Sequence, residues 1–552
     1  MDTSNGQRAD AIVVGSGMTG GWVAKELTEA GLQTLLVEAG GPIAVGDEAV
    51  GDSWQGMSEE QQPIQSQCYA CDGPYRRLFV SDADHPYLSS GRTPFAWIRS
   101  RHLGGRSLAW ARHCFRFADF DFEPGATGSR WPFGYDALEP WYARVERWIG
   151  VSGHRDRLRQ VPDSECLPGF RMNAAEEELR GRLSERFHSA RQLIVSRVAT
   201  LTVPHEGRPA YRPRDYQTHP IQDPAHFSSL SSTIPAASST GRLRIQTNSI
   251  VSRVCYDSRN GLVCGVEAID RQTKRVRELQ APLVVLAAGA LESTRILLNS
   301  GGVEFPDGLA NSSGCLGRYL MDHLTGVGAT AIFPELQGKL FQAGRPTTTY
   351  VPRYRNINGD RATFAGGYAF ICDAFRPSTA GTAVFRETAG LARSAADDWV
   401  IRLWGFGECM PRRDNRVTLD HTKLDRWGVP TLRIDFSWGD NDIAMARDMA
   451  TSAAEMLSAA GGRDVRLLDV PLDPGLAIHE MGTARMGVDP RTSVVNGYGQ
   501  CHDVPNLFVV DGSILPTSPC QNPSLTYMAL ASRAACHAAD VLKDGQLTRR
   551  QS

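Results

Sequence analysis

Three glycines near the start of the chain have the spacing of a dinucleotide-binding turn. The run AIVVGSGMTG at 11–20 is apolar up to Gly15 and then carries Gly17 and Gly20. Gly15 permits a tight turn, Gly17 lets the backbone approach a diphosphate, and Gly20 lets a helix pack closely against the strand. The first amides of that helix and its positive dipole end would then face the phosphates. This spacing predicts a site for an ADP-containing cofactor.

The segments around these glycines fit a strand–helix–strand unit. A helix is predicted from about Met18 to Ala30, with Gly31 at its C-terminal cap. The next strand, TLLVE, ends at Glu38, which is about 20 residues further on, as in dinucleotide-binding folds. A carboxylate there can bind ribose hydroxyl groups and disfavours a ribose 2′-phosphate. The motif by itself leaves NAD and FAD as alternatives.

Composition disfavours several other classes of protein. A net charge of −2 on 552 residues gives no general attraction to nucleic acid or to an anionic membrane. No apolar run reaches the roughly 18 residues that a membrane-spanning helix needs. The first residues, MDTSNGQRAD, lack the basic and apolar regions of a leader, so we expect a cytoplasmic protein.

The cysteines do not form a recognisable framework. All 12 are scattered along the chain, which favours reduced thiols over disulfides. Cys68 and Cys71 are the one close pair, and without a second pair or nearby histidines a metal or redox role is disfavoured. The stretch between Cys166 and Cys255 has no cysteine and cannot build an iron–sulfur site. We expect no metal site.

Two later segments have the pattern of further cofactor-domain strands. APLVVLAAGALESTRILLNSG at 281–301 predicts a buried strand, a tight turn and a helix. NLFVVDGS predicts another buried strand that ends at Asp511 and Gly512, which we interpret as a contact for a ribityl chain or diphosphate rather than a solvated turn. A long helix is predicted from Asn522 to about Leu542. These widely separated segments predict one sheet assembled from distant parts of the chain.

The segment between those blocks has a different pattern. Residues 326–436 are rich in short β-like runs with hairpin punctuation and predict an antiparallel sheet. Such a sheet could form one wall of a substrate cavity. Trp404, Glu408 and Arg412 lie in or just after one of its strands, and their aromatic and polar groups suit a sugar. A tryptophan in a sheet is, however, more often a core residue.

Five motifs resemble the glucose–methanol–choline (GMC) flavoprotein oxidoreductases. They are RSRHLGGRSLAWAR, WPFGYDALEPWYARVERWIGVSG, VVLAAGALESTRILLNS, HEMGTARMG and DGSILPTSPCQNPSLTYMALASRA, and they follow the family order over nearly the whole chain. Within the family they are most similar to the branch of pyranose 2-oxidase, glucoside 3-dehydrogenase and bacterial C-glycoside 3-oxidases. The resemblance implies FAD rather than NAD. It also implies a Rossmann-like FAD-binding domain (α/β) joined to a substrate domain (α+β) on a large antiparallel sheet.

The resemblance also implies boundaries and cofactor contacts. The FAD-binding domain would comprise residues 1–50, 96–125, 238–322 and 470–545, and the substrate domain residues 51–95, 126–237 and 323–469. The expected cofactor-binding residues are Gly15, Gly17, Gly20, Glu38, Gly104, Gly105, Ser107, Val254, Asp511, Gly512, Asn522, Ser524 and Thr526. Ala109 stands where pyranose 2-oxidase carries a histidine bonded to the flavin, so we expect FAD to be held non-covalently.

Oxidation of an alcohol needs a hydride acceptor and a base for the hydroxyl proton. By position in the family, His479 corresponds to the base, and a neutral imidazole with a reference pKa of about 6.5 suits that task. Asn522 corresponds to its partner, which would bind the same hydroxyl group, although Asn522-Pro523 also has the pattern of a helix N-cap. The helix start from Ser524 to Thr526 would face the negative charge of reduced flavin.

Other histidines are interpreted as structural. The Asp322-His323 pair resembles a family motif at the domain junction and is taken as structural rather than catalytic. His85 and His113 are given the same interpretation. The predicted function is oxidation of a secondary pyranose or glycoside hydroxyl, at C3, with flavin reoxidised by O2 or a quinone-like acceptor.

Three alternatives remain open at this point. The first is a GMC oxidase or dehydrogenase that acts on a non-sugar or antibiotic-sugar alcohol. The second is a non-redox lyase on the same fold, and the third is a flavoprotein that binds without turnover. The sugar, the acceptor and the oligomeric state are not specified by the sequence.

Overall fold

The computed structural model describes residues 9–43, 78–90, 93–124, 128–213, 223–342, 344–376, 397–468 and 472–547. Cys68 and Cys71 lie outside these ranges. The helices are α1 (Met18–Glu29), α2 (Tyr135–Ile149), α3 (Ala174–Phe187), α4 (Thr233–Ser239), α5 (Ala290–Asn299), α6 (Asp440–Ala459) and α7 (Ser524–Lys543). Within the described ranges, none of them is long and apolar enough to cross a membrane.

The strands fall into parallel and antiparallel groups. In chain order they are β1 (Ala11–Val14), β2 (Thr34–Val37), β3 (Leu88–Ser90), β4 (Ser152–Gly153), β5 (Leu167–Pro168), β6 (Ile194–Val195), β7 (Leu243–Gln246), β8 (Ser249–Asp257), β9 (Leu262–Asp270), β10 (Val276–Gln280), β11 (Leu283–Leu286), β12 (Arg318–Met321), β13 (Gly328–Phe333), β14 (Thr349–Val351), β15 (Tyr368–Phe375), β16 (Trp399–Gly407), β17 (Arg416–Leu424), β18 (Pro430–Asp435), β19 (Arg463–Leu467), β20 (Met481–Thr483) and β21 (Leu507–Val509).

A five-stranded parallel sheet has the order β21-β11-β1-β2-β7. Its central strands β1 and β11 are apolar and fully buried, as expected for strands covered on both faces. The strands come from the beginning, middle and end of the chain, which confirms the prediction of one sheet built from distant segments. Because all five run in the same direction, their carboxyl ends meet at one edge.

Helix α1 begins and ends almost where the sequence predicted. Ala30 is its C-cap, and Gly31 follows with a φ of 95°, a left-handed conformation that favours glycine. A Cβ on Gly20 would lie 1.9 Å from the carbonyl oxygen of Gly15, so only glycine lets the helix approach the strand this closely.

A six-stranded antiparallel sheet has the order β19-β13-β16-β15-β14-β6. Strand β16 shows the period of two that a half-buried strand requires. Its residues Trp399, Ile401 and Leu403 pack in one core cluster with methionines of α6. The alternate residues of β16 therefore face the opposite side. The predicted antiparallel sheet is confirmed over β13 to β16.

Strands β17 and β18 belong to a third sheet, ordered β20-β12-β17-β18-β3. The two sheets divide the β-rich segment, which the sequence pattern treated as one sheet. Helices α2 and α4 contribute to the core cluster that includes β1 and α7, although the predicted boundaries assign α2 to the substrate domain and divide α4 between the two domains. The division of the chain into two domains stays a prediction.

Candidate active site

A cavity of about 560 Å³ lies between the carboxyl edge of the parallel sheet and the free face of β16. Crevices at this edge are where open α/β sheets bind ligands. The glycine turn after β1, the start of α5 and the start of α7 all line the cavity. Arg402, Trp404 and Phe406 of β16 line it from the other side.

The cofactor end of the cavity is shaped by glycines. Gly15 has a φ of 97°, and a Cβ there would lie 2.5 Å from the Ala287 carbonyl oxygen. At Gly17 a Cβ would meet nothing within 4 Å, so the backbone there borders open space. The first residues of α1 and α5, Met18 and Ala290, line the same space. Two helix N-termini beside an open glycine turn fit a diphosphate.

Glu38 also lines this end of the cavity, as predicted from its spacing. Its carboxylate accepts hydrogen bonds from the Ser16 amide at 3.0 Å, the Ser16 hydroxyl at 2.6 Å and the Gly40 amide at 2.9 Å. Burial raises the pKa of the Glu38 carboxyl. The Ser16 hydroxyl in turn accepts from the Gly104 amide at 2.9 Å, which joins the two glycine loops. The sequence analysis missed Ser16, whose position between Gly15 and Gly17 was the available signal.

Asp511 lines the cavity, but its carboxylate is engaged with its own chain. Oδ2 accepts from the Gly289 amide at 3.1 Å and the Ser293 hydroxyl at 2.5 Å, and Oδ1 accepts from the Ser513 hydroxyl at 2.7 Å. Asp511 therefore fixes the first turn of α5 against the loop after β21. A direct contact between this side chain and a cofactor stays a prediction.

The remaining predicted cofactor residues divide into two sets. Those that line the cavity are Gly105, Ser107, Gly512, Asn522 and Ser524. Those that do not are Gly20, Gly104, Val254 and Thr526. The Thr526 hydroxyl lies 2.8 Å from the Tyr142 hydroxyl, and the Val254 amide donates to the Ser300 hydroxyl at 2.8 Å. Val251, three residues before Val254 on β8, lines the cavity instead.

His479 lies in the cavity wall and forms a pair with His323. Their Nδ1 atoms are 2.9 Å apart, and Nε2 of His323 is 2.8 Å from the Pro519 carbonyl oxygen. Burial lowers the pKa of His323 to about 4, so its ring is neutral. A carbonyl can only accept, so the proton of His323 is on Nε2 and its Nδ1 accepts from His479. His479 therefore carries its proton on Nδ1 and keeps a lone pair on Nε2.

Electrostatics reinforce this tautomer of His479. Burial, followed by the interactions with His323 and Arg106, holds the pKa of His479 well below 6.5. The Arg106 guanidinium forms an ion pair at 2.9 Å with Glu480, the residue that follows His479. Asp322 fixes the backbone, because its carboxylate accepts from the amides of His479 at 2.9 Å and Ala477 at 3.2 Å. The Asp322-His323 pair thus has the positional role expected of a structural motif, but it contacts the candidate base directly.

Asn522 is buried, lines the cavity and precedes α7. The N-cap of α7 is Pro523, and no side chain caps the helix. The N-cap pattern therefore lies one residue later than predicted, and the Asn522 side chain is free of that task. Its amide makes no hydrogen bond to any residue in the described ranges. Ser524 and Tyr527 of α7 line the same part of the cavity.

Trp404 lines the cavity as predicted, and its Nε1 donates to the Thr325 hydroxyl at 2.6 Å. Glu408 does not line this cavity, and its role in the substrate wall stays a prediction. Strand β16 ends at Gly407, so the alternation of faces stops there. Glu408 instead pairs with Arg353 at 2.5 Å in a second cavity of about 460 Å³, which Asp121 also lines.

Arg412 does not line the main cavity either. Its guanidinium donates to the Ser437 carbonyl at 3.3 Å and lies beside Gly439. The chain has left the sheet before Arg412, and a role for this residue in the substrate wall stays a prediction. The sheet residues that sequence analysis missed are Thr348, Ile371, Asp373, Arg402 and Phe406, and His113 joins them from a neighbouring segment. Their common face depends on strand register, which the sequence does not display.

Comparison with known proteins gives this cavity a context. Two family models, both described as GMC oxidoreductase, match residues 212–325 and 411–531. The chain is 31% identical to 2-methyl-1,2-propanediol dehydrogenase of Mycolicibacterium austroafricanum, over 96% of this chain and 95% of that protein. This chain belongs to the GMC oxidoreductase family. The resemblance stated from the motifs is confirmed, and the cofactor of the family is FAD, which the glycine-lined end of the cavity fits.

Other GMC relatives act on different alcohols, by their names. The chain is 27% identical to paromamine 6'-oxidase of Streptomyces fradiae, over 97% of this chain and 92% of that one. It is 28% identical to C-glycoside 3-oxidase of Arthrobacter globiformis, over 81% and 76%. Among solved structures, pyridoxine 4-oxidase from Mesorbium loti has a TM-score of 0.62 at 20% identity, over 96% of this chain and 99% of that one. The predicted architecture is thereby confirmed, and the chain is an oxidoreductase of CH–OH groups.

Proposed function

We propose that this GMC oxidoreductase oxidises a secondary hydroxyl group of a pyranose or glycoside, at C3, to a ketone. His479 is the base that takes the hydroxyl proton, and Asn522 holds the same hydroxyl group. FAD, when bound, supplies the hydride acceptor and is reoxidised by O2 or a diffusible quinone-like acceptor. The observation that carries the proposal is the 2.9 Å contact between Nδ1 of His479 and Nδ1 of His323 in the cavity wall, which leaves Nε2 of His479 as the acceptor.

The base assignment is supported by the hydrogen-bond chain behind His479. An alcohol is a very weak acid, so its base must be close and must hold a free lone pair. The chain from the Pro519 carbonyl through His323 fixes the proton of His479 on Nδ1 and leaves Nε2 to accept. A protonated imidazole could not take the hydroxyl proton, and the low pKa of His479 avoids that state at neutral pH.

The role of Asn522 is supported by its unused hydrogen-bonding capacity. A carboxamide can donate to the oxygen of a substrate and accept from its hydroxyl. The Asn522 side chain lines the cavity, where a substrate hydroxyl group can reach it. Held between Asn522 and His479, a carbinol carbon is restrained in one orientation.

A sugar is supported by the polar residues of the sheet face and by the relative that oxidises C-glycosides at C3. The relative at 31% identity is named for a small diol, so a non-sugar alcohol is the second candidate. Anaerobic titration of the holoenzyme with glucose, aryl glycosides, C-glycosides and small diols separates the two. Bleaching of the flavin by a pyranoside, with a 3-keto product by NMR, supports the proposal. Bleaching by diols alone supports the second candidate.

The same titration tests the lyase alternative. If no alcohol reduces the flavin while a cyanohydrin is cleaved, the proposed oxidation is wrong. The assignment of the base is tested separately with His479→Ala, as described in the Discussion.

We also propose that FAD is bound non-covalently. Ala109 lines the cavity and has no nucleophilic atom, whereas pyranose 2-oxidase carries a flavin-bonded histidine at the corresponding position. Acid precipitation should release all the yellow colour into the supernatant. Colour that remains in the pellet would show a covalent link through another residue.

A further inference from the structure

We propose that Asp373, Arg402 and His113 form a subsite that holds the ring hydroxyl groups of a neutral glycoside. The inference rests on the proposed function and specifies its substrate class. It is argued from the pairing of the two sheet residues, from an unpartnered nitrogen on His113, and from the charge of the cavity.

Asp373 and Arg402 are paired across neighbouring strands. The register of β15 and β16 places them directly opposite each other, with Ile371 opposite Trp404 as the next pair on that face. The Arg402 guanidinium donates to Oδ2 of Asp373 at 2.5 Å, and both residues line the cavity. Among the described residues, none donates to the other oxygen, Oδ1. The pair therefore offers an acceptor beside a fixed donor group, which matches two adjacent hydroxyl groups of a ring.

His113 lies in the same wall with one nitrogen unused. Its Nε2 is 3.2 Å from the Thr348 hydroxyl, and the side chain is only 3% exposed. Its Nδ1 is buried and has no hydrogen-bond partner among the described residues. An unsatisfied buried polar atom is costly, and a substrate hydroxyl group would satisfy it. His113 therefore points to a ligand rather than to the structural role inferred from sequence.

The subsite is electrostatically coupled to the candidate base, His479. Asp373 opposes the effect of burial on the pKa of His113, and His113 in turn contributes to the lowered pKa of His479. All four line one cavity. A ring whose hydroxyl group is at His479 can thus present its other hydroxyl groups to the subsite.

The charge of the subsite favours a neutral ligand. Asp373 and Arg402 neutralise each other, and burial lowers the pKa of His113 to about 4, which leaves its ring uncharged at neutral pH. Arg112 also lines the cavity, and no described carboxylate forms an ion pair with it. An ammonium group on the sugar would meet a net positive environment there.

The test uses the FAD-loaded enzyme in anaerobic stopped-flow titrations with glucose, methyl β-D-glucopyranoside and an aryl C-glucoside. The pyranoside that reduces the wild-type flavin fastest is the probe. For Asp373→Asn, we expect the dissociation constant of the probe to rise roughly 10- to 100-fold, as for loss of a charged hydrogen bond. The dissociation constant should change by a larger factor than the limiting reduction rate, because Asp373 does not contact the base. His113→Phe, which keeps an aromatic ring, should also raise the dissociation constant, and because His113 contributes to the lowered pKa of His479 its reduction rate is compared at a pH above the acid limb.

The matched control is Asp464→Asn, which alters an exposed ion pair with Arg466 on β19, the edge strand of the same sheet. It should leave both constants within about twofold of wild type, as for most surface changes. Far-UV circular dichroism and FAD content verify that each variant is folded.

The outcomes separate the two hypotheses. If no pyranoside reduces the wild-type flavin, the proposed function is wrong and the subsite is wrong with it. If wild type is reduced but both variants bind the probe as tightly as the control, only the subsite is wrong. If methyl 2-amino-2-deoxy-β-D-glucopyranoside binds wild type as tightly as its neutral analogue, the assignment to neutral glycosides is overturned.

Discussion

The main cavity and the second cavity, which Glu408 lines, differ in their hydrogen bonding. In the second cavity, Arg353 pairs with Glu408 at 2.5 Å and lies 3.6 Å from Asp121, which also accepts from Gln521 at 2.9 Å. In the main cavity, Nδ1 of His113 is buried without a hydrogen-bond partner among the described residues, and Asn522 lines the same space. Charges that satisfy one another stabilise a fold, whereas unsatisfied groups indicate where a ligand belongs.

Among changes in the two cavities, removal of the candidate base should lower the rate of flavin reduction the most. We expect His479→Ala to retain bound yellow FAD but to lower the rate of flavin reduction by the pyranoside roughly 10²- to 10⁴-fold, because general-base catalysis is lost. Stopped-flow reduction measures the loss. His421→Ala, which changes an exposed histidine of β17, is the control and should be unaffected. Reduction of His479→Ala at the wild-type rate would remove the base assignment.

The His323 contact should have the next largest effect. His323→Phe removes the acceptor for Nδ1 of His479. We expect a reduction rate roughly 10- to 100-fold lower, because the ring of His479 is no longer held in one orientation by that hydrogen bond. His323 also lowers the pKa of His479, so its removal should raise that pKa. The acid limb of the rate profile, expected below pH 6.5 in wild type, should therefore move to higher pH.

A conservative variant distinguishes this positioning role from a merely structural one. His323→Asn supplies a carbonyl oxygen that can accept from Nδ1, so we expect it to recover part of the rate, while its acid limb stays at the higher pH of the Phe variant because Asn cannot carry a charge. If the Phe and Asn variants are equally slow and have the wild-type profile, the tautomer is not controlled by His323.

The second cavity should respond in stability rather than in substrate binding. Glu408→Ala leaves Arg353 with only the more distant Asp121, and we expect a loss of about 1 to 3 kcal/mol in the free energy of unfolding. The dissociation constant of the pyranoside should stay within about twofold of wild type. Thermal unfolding of the holoenzyme and anaerobic titration measure the two quantities. A weaker substrate affinity with unchanged stability would restore Glu408 to the substrate wall.

The smallest effect is expected for Arg412→Ala. The side chain is partly exposed and donates to Ser437 at 3.3 Å or more, outside the main cavity. The free energy of unfolding should stay within about 0.5 kcal/mol of wild type, and the affinity for the sugar should not change. Titration of the variant with the same pyranoside checks this. A tenfold loss of affinity would show that Arg412 reaches the substrate by another route.

Local patterns predicted the parallel sheet and the glycine turn after β1. The spacing of Gly15, Gly17 and Gly20 specified a turn and a close helix contact that depend only on nearby residues. Apolar runs predicted the parallel strands, because each is buried on both faces. The motif resemblance supplied the family, and with it His479 and Asn522, whose catalytic roles still await experiment.

The contacts at the opposite wall of the main cavity could not be predicted in the same way. The contact between His323 and His479 joins residues 156 positions apart, so no local pattern displays it. Asp373 faces Arg402 only because of the register of two strands. Glu408 lies outside the main cavity because β16 ends one residue before it. The sequence placed Trp404 in or just after a strand without specifying which face it occupies, because that face depends on the register of the sheet.

The position of β21 in the parallel sheet has a consequence for biosynthesis. This edge strand, Asp511 after it and α7 all come from the last part of the chain, yet they complete the sheet and cavity begun by β1. A ribosome must therefore synthesise the chain through α7 before the FAD pocket can close. Until then the nascent protein carries an open sheet edge, and termination between β21 and Asn522 would yield the complete parallel sheet without Asn522.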